Sequence, residues 1–305
     1  MSVYHAGSRA VQDRVGVRAA ADHVGRSVGR GIRPVAAAFL ELQPLLVLGA
    51  TDPATGGVWA SPLTGTPGFV RATGPHRMSV TGGVLPGDPL AEVLATDATD
   101  GRDGPDGSEG TRVGTIALDP RTRRRMRLNG RLHRTPRGFA VEADQVFSNC
   151  PKYLQRRSSY ETVDRTPGEV QRGTELTARQ QDFVAAADTF FLATVHAHGA
   201  DASHRGGSPG FVRVLSPREL LWRDYPGNSM FLTLGNLAAD PRAGLLFLDW
   251  TSGAALQLTG QARTEFGADG ERRVRFTVTR VAATDGAVPL RWAPPEYSPA
   301  NPWVP

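Results

Sequence analysis

Apolar residues in this chain fall in short runs separated by Gly- and Pro-bearing turns, the pattern of many short strands rather than of long helices. Leu45-Leu46-Val47-Leu48-Gly49-Ala50 is one such run, and Asp52-Pro53-Ala54-Thr55-Gly56-Gly57 turns the chain back into Val58-Trp59-Ala60-Ser61. Residues 113–119, 140–147, 190–195, 245–249 and 255–260 have the same character, and 275–279 reads as the last strand. Helical signals are few. Pro34 suits the first turn of a helix through residues 35–40, whereas Gly25, Gly29 and Gly31 interrupt any continuous helix before it. Thr177-Ala178-Arg179-Gln180 is a capping-box pattern opening a helix to about residue 187. Residues 233–239 form a short helix that stops before Pro241, with Asn228 or Ser229 available to cap its start.

The pattern occurs twice. Ser61, Gly65 and Pro67-Gly68-Phe69-Val70-Arg71 recur as Ser203, Gly207 and Pro209-Gly210-Phe211-Val212-Arg213, at an offset of 203 − 61 = 142. Pro86-Gly87-Asp88 matches Pro226-Gly227-Asn228 at 226 − 86 = 140, and Leu118-Asp119 and Leu128-Asn129-Gly130 match Leu248-Asp249 and Leu258-Thr259-Gly260 at 248 − 118 = 130. The drop of ten is accounted for by the acidic, Gly-rich residues 97–110, which cannot bury anything and read as a mobile loop. Units this large are duplicated domains, not solenoid repeats. The expected division is a helical segment at 1–43, a first domain at 44–157, a linker at 158–175, a second domain at 176–282 and an extended tail at 283–305. Helix, apolar strand, turn, a second strand through Gly-Phe-Val-Arg and further strands give each domain the order of a small barrel with helical additions, mainly β within the α+β class.

Composition narrows the setting. The 305 residues carry a formal charge of +5, and every basic residue except Lys152 is Arg. No homeodomain, zinc-finger or RNP-type pattern accompanies that charge, so no nucleic-acid partner is expected. A single cysteine, Cys150, excludes an intrachain disulfide and a cysteine-cluster metal site. No apolar run resembles a signal sequence or membrane span, so a soluble cytoplasmic protein is expected.

Three stretches carry candidate chemistry. Residues 121–130 hold five arginines within seven positions; as a strand they put Arg125 and Arg127 on one face and Met126 and Leu128 on the other. That cationic face fits either a phosphate or a solvated edge strand whose charges discourage aggregation. Asn149-Cys150-Pro151-Lys152-Tyr153 has no copy in the second half, and its Cys is either an inert small residue or a thiol facing a substrate. Around the repeated motif, Gly206, Gly207 and Gly210 let backbone approach a flat ring, and Arg205 and Arg213 supply cations; a plain structural turn fits the same residues. His196, His198 and His204 lack an accompanying carboxylate motif, and no metal site is assigned to them. Rossmann and P-loop spacings are absent.

The apolar strand and Gly turn, His204-Arg205-Gly206-Gly207, Pro209-Gly210-Phe211-Val212-Arg213-Val214, Asp224-Tyr225-Pro226-Gly227-Asn228, Thr233-Leu234-Gly235-Asn236-Leu237, Asp240-Pro241-Arg242-Ala243-Gly244 and Leu258-Thr259-Gly260 together resemble the pyridoxamine 5'-phosphate oxidase-like FMN-binding split barrels. The likeness is closest to tandem members with an Asn-Cys-Pro-Lys-Tyr stretch and an Asn-Pro-Trp tail. It implies two tandem split β-barrels packed as a pseudo-dimer, either a monomer or pairing further as a homodimer, with FMN in the cleft between them. It further implies an FMN-dependent oxidoreductase acting on a small organic substrate, with NAD(P)H or a reduced flavin as donor. A flavin carrier without turnover and a haem-binding barrel with a His ligand are the alternatives. By that resemblance, Phe211, Val212, Arg213 and Val214, with Asp224, Tyr225, Asn228, Ser229 and Thr233, hold the ribityl phosphate and one edge of the ring. Gln257, Asn149 and Lys152 add contacts. The family's usual Arg-Lys phosphate pair is replaced here by Leu232-Thr233, and Arg124, Arg125 or Arg127 would supply the missing charge. His204, Arg205, Cys150 and Tyr153 would face the substrate. The first copy has Leu85-Pro86-Gly87-Asp88-Pro89 where the second keeps the Asp-Tyr-Pro-Gly-Asn turn, so one flavin site per chain is expected.

Overall fold

The structure, a computed structural model, describes residues 3–95, 110–268 and 270–304, and the acidic stretch apart from Gly110 lies outside them. The chain opens with α1 (Ala6–Val15), α2 (Arg18–Gly25) and α3 (Pro34–Glu41), the last with Pro34 in its first turn. A first sheet follows from β1 (Leu45–Thr51), β2 (Val58–Thr64), β3 (Val70–Gly74), β4 (Arg77–Thr81), then α4 (Ala91–Ala95), β5 (Thr111–Asp119), β6 (Arg124–Thr135) and β7 (Gly138–Ser148). Two short strands, β8 (Tyr160–Thr162) and β9 (Gln171–Gly173), lie in the stretch expected to be a plain linker. Then come α5 (Ala178–Ala186), β10 (Thr189–His196), β11 (Gly199–Gly206), β12 (Val212–Ser216), β13 (Glu219–Arg223), α6 (Leu232–Ala239), β14 (Arg242–Leu248), β15 (Ala255–Phe266), β16 (Arg272–Thr284) and β17 (Leu290–Trp292).

The strand order is β2-β1-β5-β6-β7-β4-β3 in one sheet and β11-β10-β14-β15-β16-β13-β12 in the other, the same antiparallel split barrel twice, with β9 added to β16. Even the irregularities match: the register slips at Asn129/Gly130 between β6 and β7 and at Thr259/Gly260 between β15 and β16.

Strands in the middle of these sheets bury both faces, which is why their sequences read as unbroken apolar runs. On β1, Leu46 and Leu48 fill the first barrel while Leu45 and Val47 face the second; on β10, Phe190 and Leu192 fill the second barrel while Phe191 and Ala193 face the first. The face between barrels is thus a shared apolar layer. At two equivalent places the backbones come so close that only glycine fits: a Cβ on Gly114 would strike β11 at Asp201 and Ala202, and one on Gly244 would strike β2 at Val58 and Trp59.

Besides the linker, four sequence expectations change. The second strand does not run through Gly-Phe-Val-Arg: β11 ends at Gly206, a turn follows, and β12 begins at Val212. The arginine-rich β6 is no solvated edge, since β5 and β7 flank it. Neither Asn228 nor Ser229 caps α6, whose N-cap is Phe231 in the left-handed region at φ 54° with no side-chain cap. Residues 275–279 belong to the longer β16, and β17 follows it to pair with β8.

Candidate functional site

Where β6 of the first barrel meets β11 of the second, a cleft opens in two joined chambers of about 610 and 440 Å³, open mouths included. Arg127, Asn149, Arg205, Tyr225 and Asn228 belong to both.

The first chamber is built on the alternation of β6 and β11. Arg125 and Arg127 leave the same face of β6, opposite Met126 and Leu128 in the barrel core. Arg127, 6% exposed, donates from Nη1 to Asp201 Oδ2 at 2.9 Å, and Asn129 Nδ2 donates to Asp201 Oδ1 at 3.0 Å. One carboxylate therefore ties two first-barrel side chains to the second barrel. Arg125 donates from Nη1 to His204 Nδ1 at 2.6 Å and from Nη2 to the Cys150 carbonyl at 2.8 Å. Burial beside the cationic Arg127 and Arg205 lowers Arg125 to about 9, which leaves it charged at neutral pH. The same surroundings hold His204, 2% exposed, neutral: burial first, then Arg125, Arg205 and Arg127, push its imidazole well below the ordinary range.

The outer wall is the segment after β7. Tyr153 adopts φ 62°, its hydroxyl donates to the Pro226 carbonyl at 3.1 Å, and its ring lies 5.0 Å from that of Tyr225. A first-barrel loop thus latches onto a second-barrel turn across the mouth. Gly206 makes room for it, since a Cβ there would overlap the Tyr153 carbonyl. Gln155 holds the loop from behind through Gly207 O and the tail residues Ser298 and Asn301.

The second chamber is the open N-terminal end of α6, lined by Leu232, Thr233 and Leu234 together with Ser229 and Arg205. Ser229 and Phe231 both have positive φ, so three of the four described non-glycine residues in that region line the cleft. Strain gathered in one place is a mark of a functional surface. Asp224, the carboxylate here, is met by Arg272 Nε at 3.1 Å and by Arg205 at 3.9 Å.

Of the residues singled out in the sequence, His204, Arg205, Cys150, Tyr153, Phe211, Asp224, Tyr225, Asn228, Ser229, Thr233, Arg125, Arg127, Asn149 and Lys152 line these chambers. Five do not. Val212 points into the second barrel core and Val214 packs against it, Arg213 is exposed on β12, and Arg124 leaves the opposite face of β6 to lie 5.9 Å over the Phe39 ring. Gln257 is buried elsewhere between the barrels, donating to Ala60 O and Ser61 Oγ. Nothing local in the chain pointed to Asp201, whose pairing with Arg127 spans 74 residues. Trp222, Arg223 and Phe231 also line the cleft, and no motif in the sequence marks them.

His196 and His198 lie away from His204, and no group of three metal-ligating side chains occurs among the described residues. Likewise no helix among them is long and apolar enough to cross a membrane.

Several polar atoms around the cleft are shut from solvent yet lack partners: Arg125 Nε, Arg127 Nε, Arg205 Nε, His204 Nε2 and Asn149 Oδ1. The first four are donors, with His204 Nε2 bearing the proton that Nδ1 cannot carry while facing a guanidinium.

A two-barrel molecule with an arginine-lined cleft at the junction is the class that fold and site define. Within it, residues 176–298, which span the second barrel, match the family model of pyridoxamine 5'-phosphate oxidase. Among solved structures, the chain is similar to the FAD binding protein from Mycobacterium smegmatis at 18% identity, over 38% of this chain and 98% of that one, TM-score 0.26. It is similar to a FAD-binding protein from Mesorhizobium loti at 14% identity, over 38% and 97%, TM-score 0.27. HupZ of Group A Streptococcus shares 15% identity over 35% and 91%, TM-score 0.29. No curated protein matches this sequence.

Proposed function

We propose that the cleft binds FMN and that the protein is a flavin-dependent oxidoreductase acting on a small organic substrate. The observation that carries this reading is that four side chains lining a single cleft between two split barrels, Arg125, Arg127, Arg205 and His204, each hold a buried donor without an acceptor. Leaving such groups unmet costs about 1–3 kcal/mol each, so a ligand with matching oxygens is strongly favoured. The phosphate fits the second chamber, where α6 offers backbone N–H groups of its first turn and Arg205 adds a cation. The ring fits the first chamber, with the β6 guanidiniums along its carbonyl edge and Tyr153 and Tyr225 at its rim. Bound flavin supplies the two-electron chemistry. The protein's residues do the rest: Arg125 and Arg127 favour negative charge at the ring edge, and the Tyr153 latch limits water at the mouth. Lys152 and Cys150, both exposed on that loop, face whatever enters.

The test is spectroscopic. Freshly purified protein is expected to be yellow, to release FMN rather than FAD on denaturation, and to oxidise NADPH or NADH in the presence of an acceptor. Arg205→Ala is expected to weaken FMN about tenfold or more, the worth of a charge-assisted bond. No FMN uptake in a fluorescence titration would overturn the reading, and tight uptake without turnover would replace the enzyme with a flavin carrier. A Soret band in place of the flavin spectrum would show a haem protein.

A further inference from the structure

The contact between Arg125 Nη1 and His204 Nδ1, at 2.6 Å, has only one chemical sense. A guanidinium has five N–H donors and no acceptor, so His204 Nδ1 must be the acceptor and cannot bear a proton. The neutral ring then carries its single proton on Nε2. That atom is shut from solvent, has no partner within the protein, and belongs to a side chain lining the first chamber. Everything charged around the ring acts in the same direction: Arg125 and Arg127 from β6, and Arg205 next to it on β11. The nearest carboxylate on that strand, Asp201, is held by Arg127 and Asn129. Phe191 of β10 meets the ring edge-on at 6.0 Å, closing its apolar side.

We propose that Arg125 is a positioning residue that locks His204 as a permanent Nε2–H donor, so that the ring gives a hydrogen bond to an oxygen of the bound ligand and takes no part in proton transfer. A second proton has nowhere to go, since Nδ1 faces an N–H and Nε2 is filled. The ring is therefore no general base, although a cleft histidine invites that role. Nor can it ligate a haem iron through Nε2, because an axial imidazole needs that lone pair free. The ligand contact rests on the flavin reading; the state of the ring does not.

The experiment is a long-range proton–nitrogen-15 correlation spectrum of the whole histidine-labelled protein, with His204→Gln assigning the peaks. His204 is expected to show an unprotonated Nδ1 and a protonated Nε2, unchanged between about pH 5 and 8, where a free imidazole titrates. Arg125→Lys keeps a donor at Nδ1 and is expected to keep that pattern; Arg125→Met is expected to let the ring titrate within the range. A wild-type ring that titrates there, or that carries its proton on Nδ1, overturns the lock. If the Met variant does not fold, the wild-type and Lys spectra decide. For the ligand contact, the probe is FMN: His204→Gln, which retains an N–H, is expected within about threefold of wild-type affinity and His204→Ala about tenfold weaker. Equal affinities for wild type and His204→Ala overturn the contact and leave the ring assignment intact. Failure of wild type to bind FMN at all removes the flavin reading and the contact together, and the spectrum still judges the lock.

Discussion

Arg127 and Asp201 show what a single buried pair does in this molecule. Both are nearly sealed, with side chains 7% and 3% exposed, and the bond between them crosses from one barrel to the other. Burial pulls the Arg127 guanidinium down from its ordinary range, and Asp201 works against that pull. A second buried pair, Arg157 with Asp188 at 2.8 Å, has burial as its largest influence on both partners, lowering the Arg and raising the Asp. Pairs of this kind add little net stability when intact and cost much when half is removed, because the other charge stays behind in a poor solvent. Asp201→Ala strands Arg127 and leaves Asn129 Nδ2 with only a 3.3 Å contact to Gln145. A loss of about 3–5 kcal/mol is expected, read as a lowered urea midpoint with an unchanged slope. A loss below about 1 kcal/mol would mean that water reaches the pair.

Among the elements, α1 is packed against a histidine whose charge depends on pH. The His5 side chain accepts from Gly7 N at its start and bonds Asn236 of α6 at 2.8 Å, while the His5 ring stacks on His196 of β10 at 4.3 Å. Burial, with His5, His198 and Arg112 nearby, lowers His196 from the ordinary 6.5 to about 4. The unfolded chain therefore takes up a proton there before the folded one does. Stability from this site is fully present above about pH 6.5 and is lost as pH falls toward about 4. Proteolysis between α1 and α2 is expected to quicken over that window and to lose its pH dependence in His196→Phe; a flat wild-type profile would remove His196 as the cause. Elements also show what could be read in advance. The runs at 45–50 and 190–195 were legible as strands because both their faces are buried, and Thr177 to Gln180 was legible because a capping box is a local device. β6 was not legible in the same way. Its arginines look solvated until β5, β7 and the other barrel are placed around it, and those neighbours are set by pairings far away in the sequence. The β12 residues that lie off the cleft share that origin, since nothing local says that Gly206 ends one strand before another begins.

At the scale of the whole molecule, two barrels with one topology would by symmetry form two clefts, yet the second position is filled from within. The offsets of the repeat align Gln257 with Arg127 and Asp88 with Asn228 of the first cleft, and Ser61 with Ser203, which bonds Thr233 of that cleft. In the structure these three close on one another: Ser61 Oγ donates to Asp88 Oδ1 at 2.6 Å, and Gln257 Nε2 donates to Ser61 Oγ at 2.9 Å and lies 3.1 Å from Asp88 Oδ2. Burial raises the Asp88 carboxyl, and the bonds from Ser61, Leu90 N and Gln257 oppose that rise. β17 and the Trp250 and Trp292 side chains add to the apolar layer shared by the two barrels. Where the first cleft presents unmet donors, its counterpart presents a satisfied network, so a flavin would have to displace bonds already made. One FMN per chain is therefore expected, by absorbance of the released chromophore against protein concentration. Two per chain would show that the Asp88–Gln257 network opens for ligand, and Gln257→Arg in that protein would then tighten the second site while leaving the first unchanged.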